Sequence, residues 1–328
     1  MLNSSSLEYI AEQCKNQTEG HEKFIFVVVY ALVFVSGLIL NFMALIVFFF
    51  QTKSRSHTIV YMTNLALTDL LLVCTLPLRI YHYFHKLSQK TCEIAGLILL
   101  VNMYGSIFLL TCVSLDRCLA VCFPMSSRVR EGRKKAPLVC VGIWMLTIGA
   151  SLPMYLVGGK NKINKTGQEH CFRSFPYYAI QTSAVTSSIA IGFGIPLVIM
   201  VLCSWGLVQA IKKSTAAQTD GLVNSRKIQK MISTNLAIFL FCFLPYHLML
   251  AVLYSYNKHT KSMPCSVISA YQYSLMIACL NAALDPLAYY FTTETFRKNV
   301  DIDIIWRMWP MNSHSSDGTT RSRAPLNT

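Results

Sequence analysis

The sequence predicts an all-α protein, a seven-transmembrane helix bundle with a short amphipathic membrane-surface helix after the seventh span. Three observations carry that prediction. Of 328 residues, 53% are hydrophobic and only 13% charged, against about 25% charged in soluble domains, and the mean hydropathy is +0.44. Seven apolar stretches follow one another at residues 24–50, 58–84, 93–122, 136–158, 178–210, 229–256 and 266–291. Each supplies the ~20 residues that cross ~30 Å of hydrocarbon as a helix. Lipid offers no partner to backbone N–H and C=O groups, so the stretches must satisfy their own and be helical.

Lysine and arginine set the expected orientation. The connections after the first, third and fifth spans read QTKSRSH, SSRVREGRKKA and KKSTAAQTDGLVNSRKIQK, whereas the N-terminal tail carries Glu8, Glu12, Glu19 and Glu22 against Lys15 and Lys23. The basic side faces the cytoplasm. Residues 1–23 are then an extracellular tail, 24–291 the seven-transmembrane bundle, 292–309 the amphipathic helix and 310–328 a polar, disordered cytoplasmic tail. In the helix, Phe296, Val300, Ile304 and Ile305 recur at helical spacing before Trp306 and Trp309, which suits the inner membrane surface. The first 23 residues lack the basic-then-apolar pattern of a signal peptide. N-x-S/T glycosylation sequons at Asn3, Asn16 and Asn164 all fall on the predicted outer side.

The net charge of +14 would suggest nucleic acid in a soluble protein, but no RNA- or DNA-binding signature is present. In a membrane protein it anchors the chain to lipids on the cytoplasmic side. Lys86, Lys90, Lys160, Lys162, Lys165, Arg173, Lys258 and Lys261 fall on the outer side instead. They favour an anionic ligand.

Four of the 12 cysteines, Cys14, Cys92, Cys171 and Cys265, lie on the outer, oxidising side. Four cysteines allow three pairings, among which spacing does not choose. Within the spans, polar residues recur: Asn41, Asp69, Asn102, Ser106, Asn281 and Asp285. Asp69 and Asp285 cannot cheaply both ionise in an apolar interior, so a cation lies between them or one is protonated. A sodium ion held by Asp69, Ser106 and Asp285 is the expectation; the plain alternative is a hydrogen-bond network that only joins helices. Pro153, Pro196, Pro245 and Pro286 interrupt spans four to seven, where membrane helices tolerate them as kinks.

The most expensive feature is VSLDRCLAV, residues 113–121, which sets Asp116 and Arg117 side by side at the end of the third span. Such charges cost roughly 2.5–3.5 kcal/mol each at mid-membrane. GLILN in span one, NLALTDLL in span two, Cys92 heading span three, Trp144 in span four, Pro196 in span five, FCFLPYH in span six and NAALDPLAYY in span seven complete an ordered series with it. Together they resemble the rhodopsin-like (class A) G-protein-coupled receptors over roughly residues 24–305. The resemblance implies that Asp116 restrains Arg117 at rest and that Arg117 is freed toward a heterotrimeric G protein as span six moves outward. Phe243 and Pro245 in span six, with Asp285, Pro286 and Tyr289 in span seven, belong to the same switch. It also implies disulfides Cys92–Cys171 and Cys14–Cys265, and arrestin and receptor kinases as further partners. The chain departs from the family at Cys118 for tyrosine, Phe243 for tryptophan and Asp285 for asparagine. Ser225 and Arg226 stand where some members carry the acid of an ionic lock, so ligand-free signalling is expected.

TLPLRIYHYF in span two, with VNMYGSIFLLTCVSLDR and FCFLPYH, resembles the lipid and nucleotide branch of the family, nearest to the purinergic-related lysophosphatidic-acid receptors and neighbouring lysolipid-sensing orphans. The branch's nucleotide receptors carry a basic residue three positions after the span-six histidine. Here His247 is followed by Leu248, Met249 and Leu250, which favours a lysophospholipid. Arg79 lies about one turn inside span two and suits a phosphate through a bidentate fork. Lys90, Arg173 or Lys258 would help, and Tyr83, Tyr104, Tyr246, His247, Tyr254, Tyr271 and Gln272 would line the cavity. The alternatives are a nucleotide or small carboxylate receptor of the same branch and, from another class, an ion transporter or channel using Asp69 and Asp285. No repeat or pair of broken helices supports transport. No enzyme motif occurs, and span seven has no lysine for a retinal Schiff base. The expected location is the plasma membrane, multi-pass, with the N-terminus extracellular and the C-terminus cytoplasmic.

Overall fold

A computed structural model describes residues 19–51, 57–85, 87–162, 181–216, 222–259 and 264–292. Among these residues the chain is helical apart from short turns, and seven segments are long and apolar enough to cross a membrane: Glu22–Phe50, His57–Phe84, Lys90–Cys122, Ala136–Pro153, Thr182–Lys212, Ile228–Tyr256 and Cys265–Pro286. Helix α1 (Glu19–Ile46) ends in a π turn (Val47–Gln51); α2 is His57–Phe84, α3 Gln89–Cys122, α4 Ser127–Arg133 and α5 Ala136–Lys162. The fifth crossing is α6 (Thr182–Ser187), a π segment (Ser188–Gly194) and α7 (Ile195–Ala216); α8 (Leu222–His259) is the sixth, and α9 (Cys265–Cys279) with α10 (Asn281–Thr292) the seventh.

Helix α3 is central, packing against α2, α5, α7 and α8. Its Leu99, Met103, Ile107, Leu110 and Val113 are buried at helical spacing, whereas Phe42, Phe50, Leu138, Met145 and Trp205 point outward. An apolar exterior around a packed interior is what lipid as solvent requires. Ser88 caps the start of α3, its Oγ accepting from Thr91 N at 3.3 Å, which satisfies one of the N–H groups orphaned at a helix start.

Proline and glycine shape the junctions. Pro286 has no N–H, so the carbonyl of Ala282, four residues earlier, loses its helical donor. Asn41 replaces it across the bundle: its Nδ2 donates to Ala282 O at 2.7 Å and to Gly37 O at 3.0 Å. Gly37 makes the approach feasible, because a Cβ there would sit 2.8 Å from Val73 Cγ2. Trp144 ties α5 to α2 through Nε1 donating to Asn64 Oδ1 at 3.0 Å.

The crossings differ from expectation in four ways. Helix α8 begins at Leu222 rather than 229, since a formed helix extends cheaply through polar residues once nucleated. The connection after the third crossing contains α4, capped by Ser126 Oγ accepting from Val129 N at 3.3 Å. The seventh crossing breaks at Leu280 into α9 and α10. Pro77 also lies inside α2, an intrahelical proline beyond those expected. The amphipathic helix 292–309 and tail 310–328 lie outside the described residues, apart from Thr292, as do Cys14, Cys171, Arg173, Asn3, Asn16, Asn164 and the side chain of Tyr289.

Candidate functional sites at the two ends of the bundle

At one end, Arg79 of α2 is only 4% exposed. Its Nη2 donates to Ala95 O of α3 at 3.3 Å, and the Tyr30 hydroxyl lies within hydrogen-bonding reach of the guanidinium. The arginine opens into a cleft between α1, α2 and α9, lined by Phe26, Tyr30, His82, Tyr83, Gln272 and Leu275. About 20 Å³ of it is accessible, room for one water but not for a headgroup. Phe26 closes the side toward α9, stacking on Tyr273 with centroids 4.9 Å apart and on Tyr83 at 5.9 Å.

The residues expected around Arg79 therefore separate into groups. Tyr83 and Gln272 share its cleft. Tyr104, Tyr246, His247 and Tyr271 form a second, deeper aromatic cluster. There His247 stacks on Phe193 at 4.5 Å and meets Tyr104 edge-on at 6.0 Å, and Tyr246 lies 6.1 Å from Tyr271. His247 Nδ1 lies 2.8 Å from Phe243 O; with Nδ1 as the donor, Nε2 is an acceptor, buried and without a partner. Tyr254 stands apart, its hydroxyl 3.0 Å from that of Thr182 on α6. Sequence reading missed Phe26, Tyr30 and Phe193. Tyr30, a polar-tipped aromatic in the outer half of span one, offered a signal; the two phenylalanines offered none.

In the middle of the bundle the polar residues converge. Asn102 Nδ2 donates to Asp69 Oδ1 at 3.0 Å and to Ser106 Oγ at 3.4 Å. Asp285 faces both Asp69 and Asn281. All five residues are buried, and Asp69 Oδ2, both Asp285 carboxyl oxygens and both Asn281 amide atoms lack a partner at hydrogen-bond geometry. Asn41 is one step removed, bonded to the α10 backbone rather than to the carboxyls. Among the described residues no three His, Cys, Asp or Glu side chains gather as a metal cluster. Two carboxyls, a hydroxyl and an amide oxygen form an all-oxygen donor set, which fits a small hard cation and not a thiolate- or imidazole-loving metal.

At the other end, Asp116 is 4% exposed. Thr58 Oγ1 donates to its Oδ2 at 2.5 Å. Arg133 of α4 donates from Nε to Oδ1 at 2.6 Å and from Nη2 to Oδ2 at 3.1 Å. Those bonds to Asp116 hold the proton of the Arg133 guanidinium more firmly than usual. Among the described residues the ion pair of Asp116 is with Arg133, not with the adjacent Arg117 as expected. Adjacent helical positions do not face each other, which leaves the carboxylate to partners from other elements. Arg117 is half-buried beside Cys118, on the face of α3 that also presents Ser114. Phe243 is fully buried, edge-on to Phe239 at 5.8 Å. Cys92 and Cys265 are each disulfide-bonded; the two expected pairings involve Cys14 and Cys171, outside the described residues.

The family model for the 7 transmembrane receptor (rhodopsin family) matches residues 40–289, which takes in the polar network and the Asp116–Arg117 pair. The chain belongs to the rhodopsin family of seven-transmembrane receptors. It is 39% identical over 277 residues to lysophosphatidic acid receptor 6 of Gallus gallus, covering 81% of this chain and 89% of that protein. It is 36% identical over 307 residues to human lysophosphatidic acid receptor 4, covering 90% and 82%. Human cysteinyl leukotriene receptor 1 is 31% identical over 311 residues, covering 92% and 91%. As a rhodopsin-family receptor the protein is a multi-pass membrane protein of signalling, not an enzyme.

Proposed function

We propose that this receptor lies in the plasma membrane with its N-terminus outside, binds an anionic lysophospholipid such as lysophosphatidic acid, and activates a heterotrimeric G protein. The observation that carries the ligand class is Arg79, a buried guanidinium opening into a cleft walled by Tyr30, Tyr83 and Gln272. A phosphate monoester takes the guanidinium fork in place of the Ala95 carbonyl, and tyrosine hydroxyls and the Gln272 amide complete its shell. The cleft opens by displacement of Phe26 from Tyr273, because its closed volume admits no headgroup. Each methylene of an acyl chain that leaves water contributes about 0.8 kcal/mol. The names of the relatives support the same class.

Signal transfer in this reading runs through the central network to the Asp116–Arg117 end. Asp69, Ser106 and Asp285 would hold a sodium ion, whose charge would balance the two carboxyls in the resting arrangement. The G protein, and afterwards receptor kinases and arrestin, engage the cytoplasmic face around Arg117 and the tail.

The deciding experiment measures G-protein dissociation in cells expressing wild type, Arg79→Lys and Arg79→Ala at matched surface levels, titrated with 1-oleoyl lysophosphatidic acid. Loss of a charge-assisted bond of about 1.5–3 kcal/mol lowers potency roughly 10- to 150-fold in Arg79→Ala. Arg79→Lys falls between. Unchanged potency in Arg79→Ala removes the guanidinium from the site, and no wild-type response at any concentration removes the ligand class.

A further inference from the structure

Helix α8 is joined to α3 near the Arg117 end by a polar contact that carries no charge. Asn235 Nδ2 donates to Ser114 Oγ at 3.4 Å, at the long limit for a hydrogen bond, and both residues are fully buried. The other half of the amide, Asn235 Oδ1, is equally shut from water and has no partner. Buried Met231, Ile232 and Phe239 on α8, with Leu110 and Val113 on α3, belong to the same apolar cluster. An amide in such a layer is costly unless both ends are bonded. Here one end is held weakly and the other not at all.

We propose that Asn235 is a positioning residue that biases α8 between two arrangements. Its nitrogen favours the closed arrangement through Ser114. Its oxygen favours an open one, in which water admitted at the Arg117 end supplies the missing donor. An unmade buried bond costs more than a made one contributes, and the made bond here is long. The net effect of Asn235 is therefore to raise the open population, and Ser114 is its restraint. This neutral pair stands between the third and sixth crossings of a chain with Ser225 and Arg226 where an ionic lock would place an acid.

The two partners of one hydrogen bond then act with opposite signs. Ser114→Ala leaves the whole Asn235 amide unpaired in the closed form and opens α8. Asn235→Leu removes the amide, suits the apolar layer and closes it. A contact that merely held the helices together would loosen in both variants.

The test is amide hydrogen exchange of the segment 228–240 in purified full-length receptor in lipid nanodiscs, with ligand-free G-protein activation in cells as a second reading. Ser114→Ala should raise exchange and ligand-free activation about three- to ten-fold, and Asn235→Leu should lower both by a similar factor. The double variant should follow Asn235→Leu, since no amide remains for Ser114 to restrain. Shifts of the same sign in the two single variants, or exchange unchanged in either, overturn the proposal.

Discussion

Arg133 grips Asp116 with two nitrogens, at 2.6 and 3.1 Å, so the acid beside Arg117 is committed to the short connecting helix α4. Removing one partner of a buried pair strands the other, at a cost of about 3–5 kcal/mol when both are buried. Arg133 is 21% exposed against 4% for Asp116, which reduces the expected loss to roughly 2–3 kcal/mol. Arg133→Ala should therefore lower the thermal unfolding midpoint of the purified receptor by several degrees. Arg133→Lys should lose about half as much, because an ammonium cannot reproduce the fork. An unchanged midpoint in Arg133→Ala would show that the pair adds nothing to stability.

Gly37 is where α1, α2 and α10 meet. A methyl at this position falls 2.8 Å from Val73 Cγ2 and 3.4 Å from Ala282 O. Gly37→Ala should destabilise by about 1–3 kcal/mol through overpacking, weakening the Asn41–Ala282 bond with it. Val73→Ala supplies the missing room, so the double variant should be more stable than the sum of the single losses. Strict additivity in thermal melts would show that the two sites do not press on each other.

Gly192 supports the ring of Tyr104, since a Cβ there would sit 2.6 Å from Tyr104 Cε1. Gly192→Ala should turn that ring into the His247 cluster and lower agonist potency about three- to ten-fold at normal surface expression, on the scale of roughly 1 kcal/mol for a displaced contact. The smaller pair Gly192→Ala with Tyr104→Phe should not recover, as the clash is with the ring and not the hydroxyl. Recovery in that pair would place the effect on the hydroxyl instead.

The central carboxyls give a cation test. Replacing choline by sodium at constant ionic strength should raise the melting midpoint of wild type, with about 1.4 kcal/mol gained at ten times the dissociation constant. Asp285→Asn should abolish that dependence. A sodium shift that survives in Asp285→Asn would place the ion elsewhere.

The bundle was legible because lipid imposes one rule on every crossing, and seven apolar runs obey it. What escaped reading was set by tertiary contact. Nothing in SSRVREGRKKA distinguishes Arg133 from its basic neighbours until α4 turns it toward Asp116. Asn235 looks like one more polar residue after Ser233 and Thr234 in span six until Ser114 is seen opposite it. The set expected around Arg79 is divided by the packing: Tyr83 and Gln272 share its cleft, while Tyr104, Tyr246, His247 and Tyr271 occupy a separate layer and Tyr254 a third position. Residue identity reports depth and chemistry in a span, but azimuth depends on how neighbouring helices rotate. The convergence of Asp69, Asn102, Ser106, Asn281 and Asp285 was foreseeable, because buried polar groups in lipid have few partners except one another.

The interruption at Leu280 divides the last crossing into two rods on a pivot. The upper rod carries Tyr271 and Gln272, and the lower one is moored by Asn41 to the opening crossing of the chain. Any tilt of the lower rod must drag that first helix with it, or let go of the Ala282 oxygen.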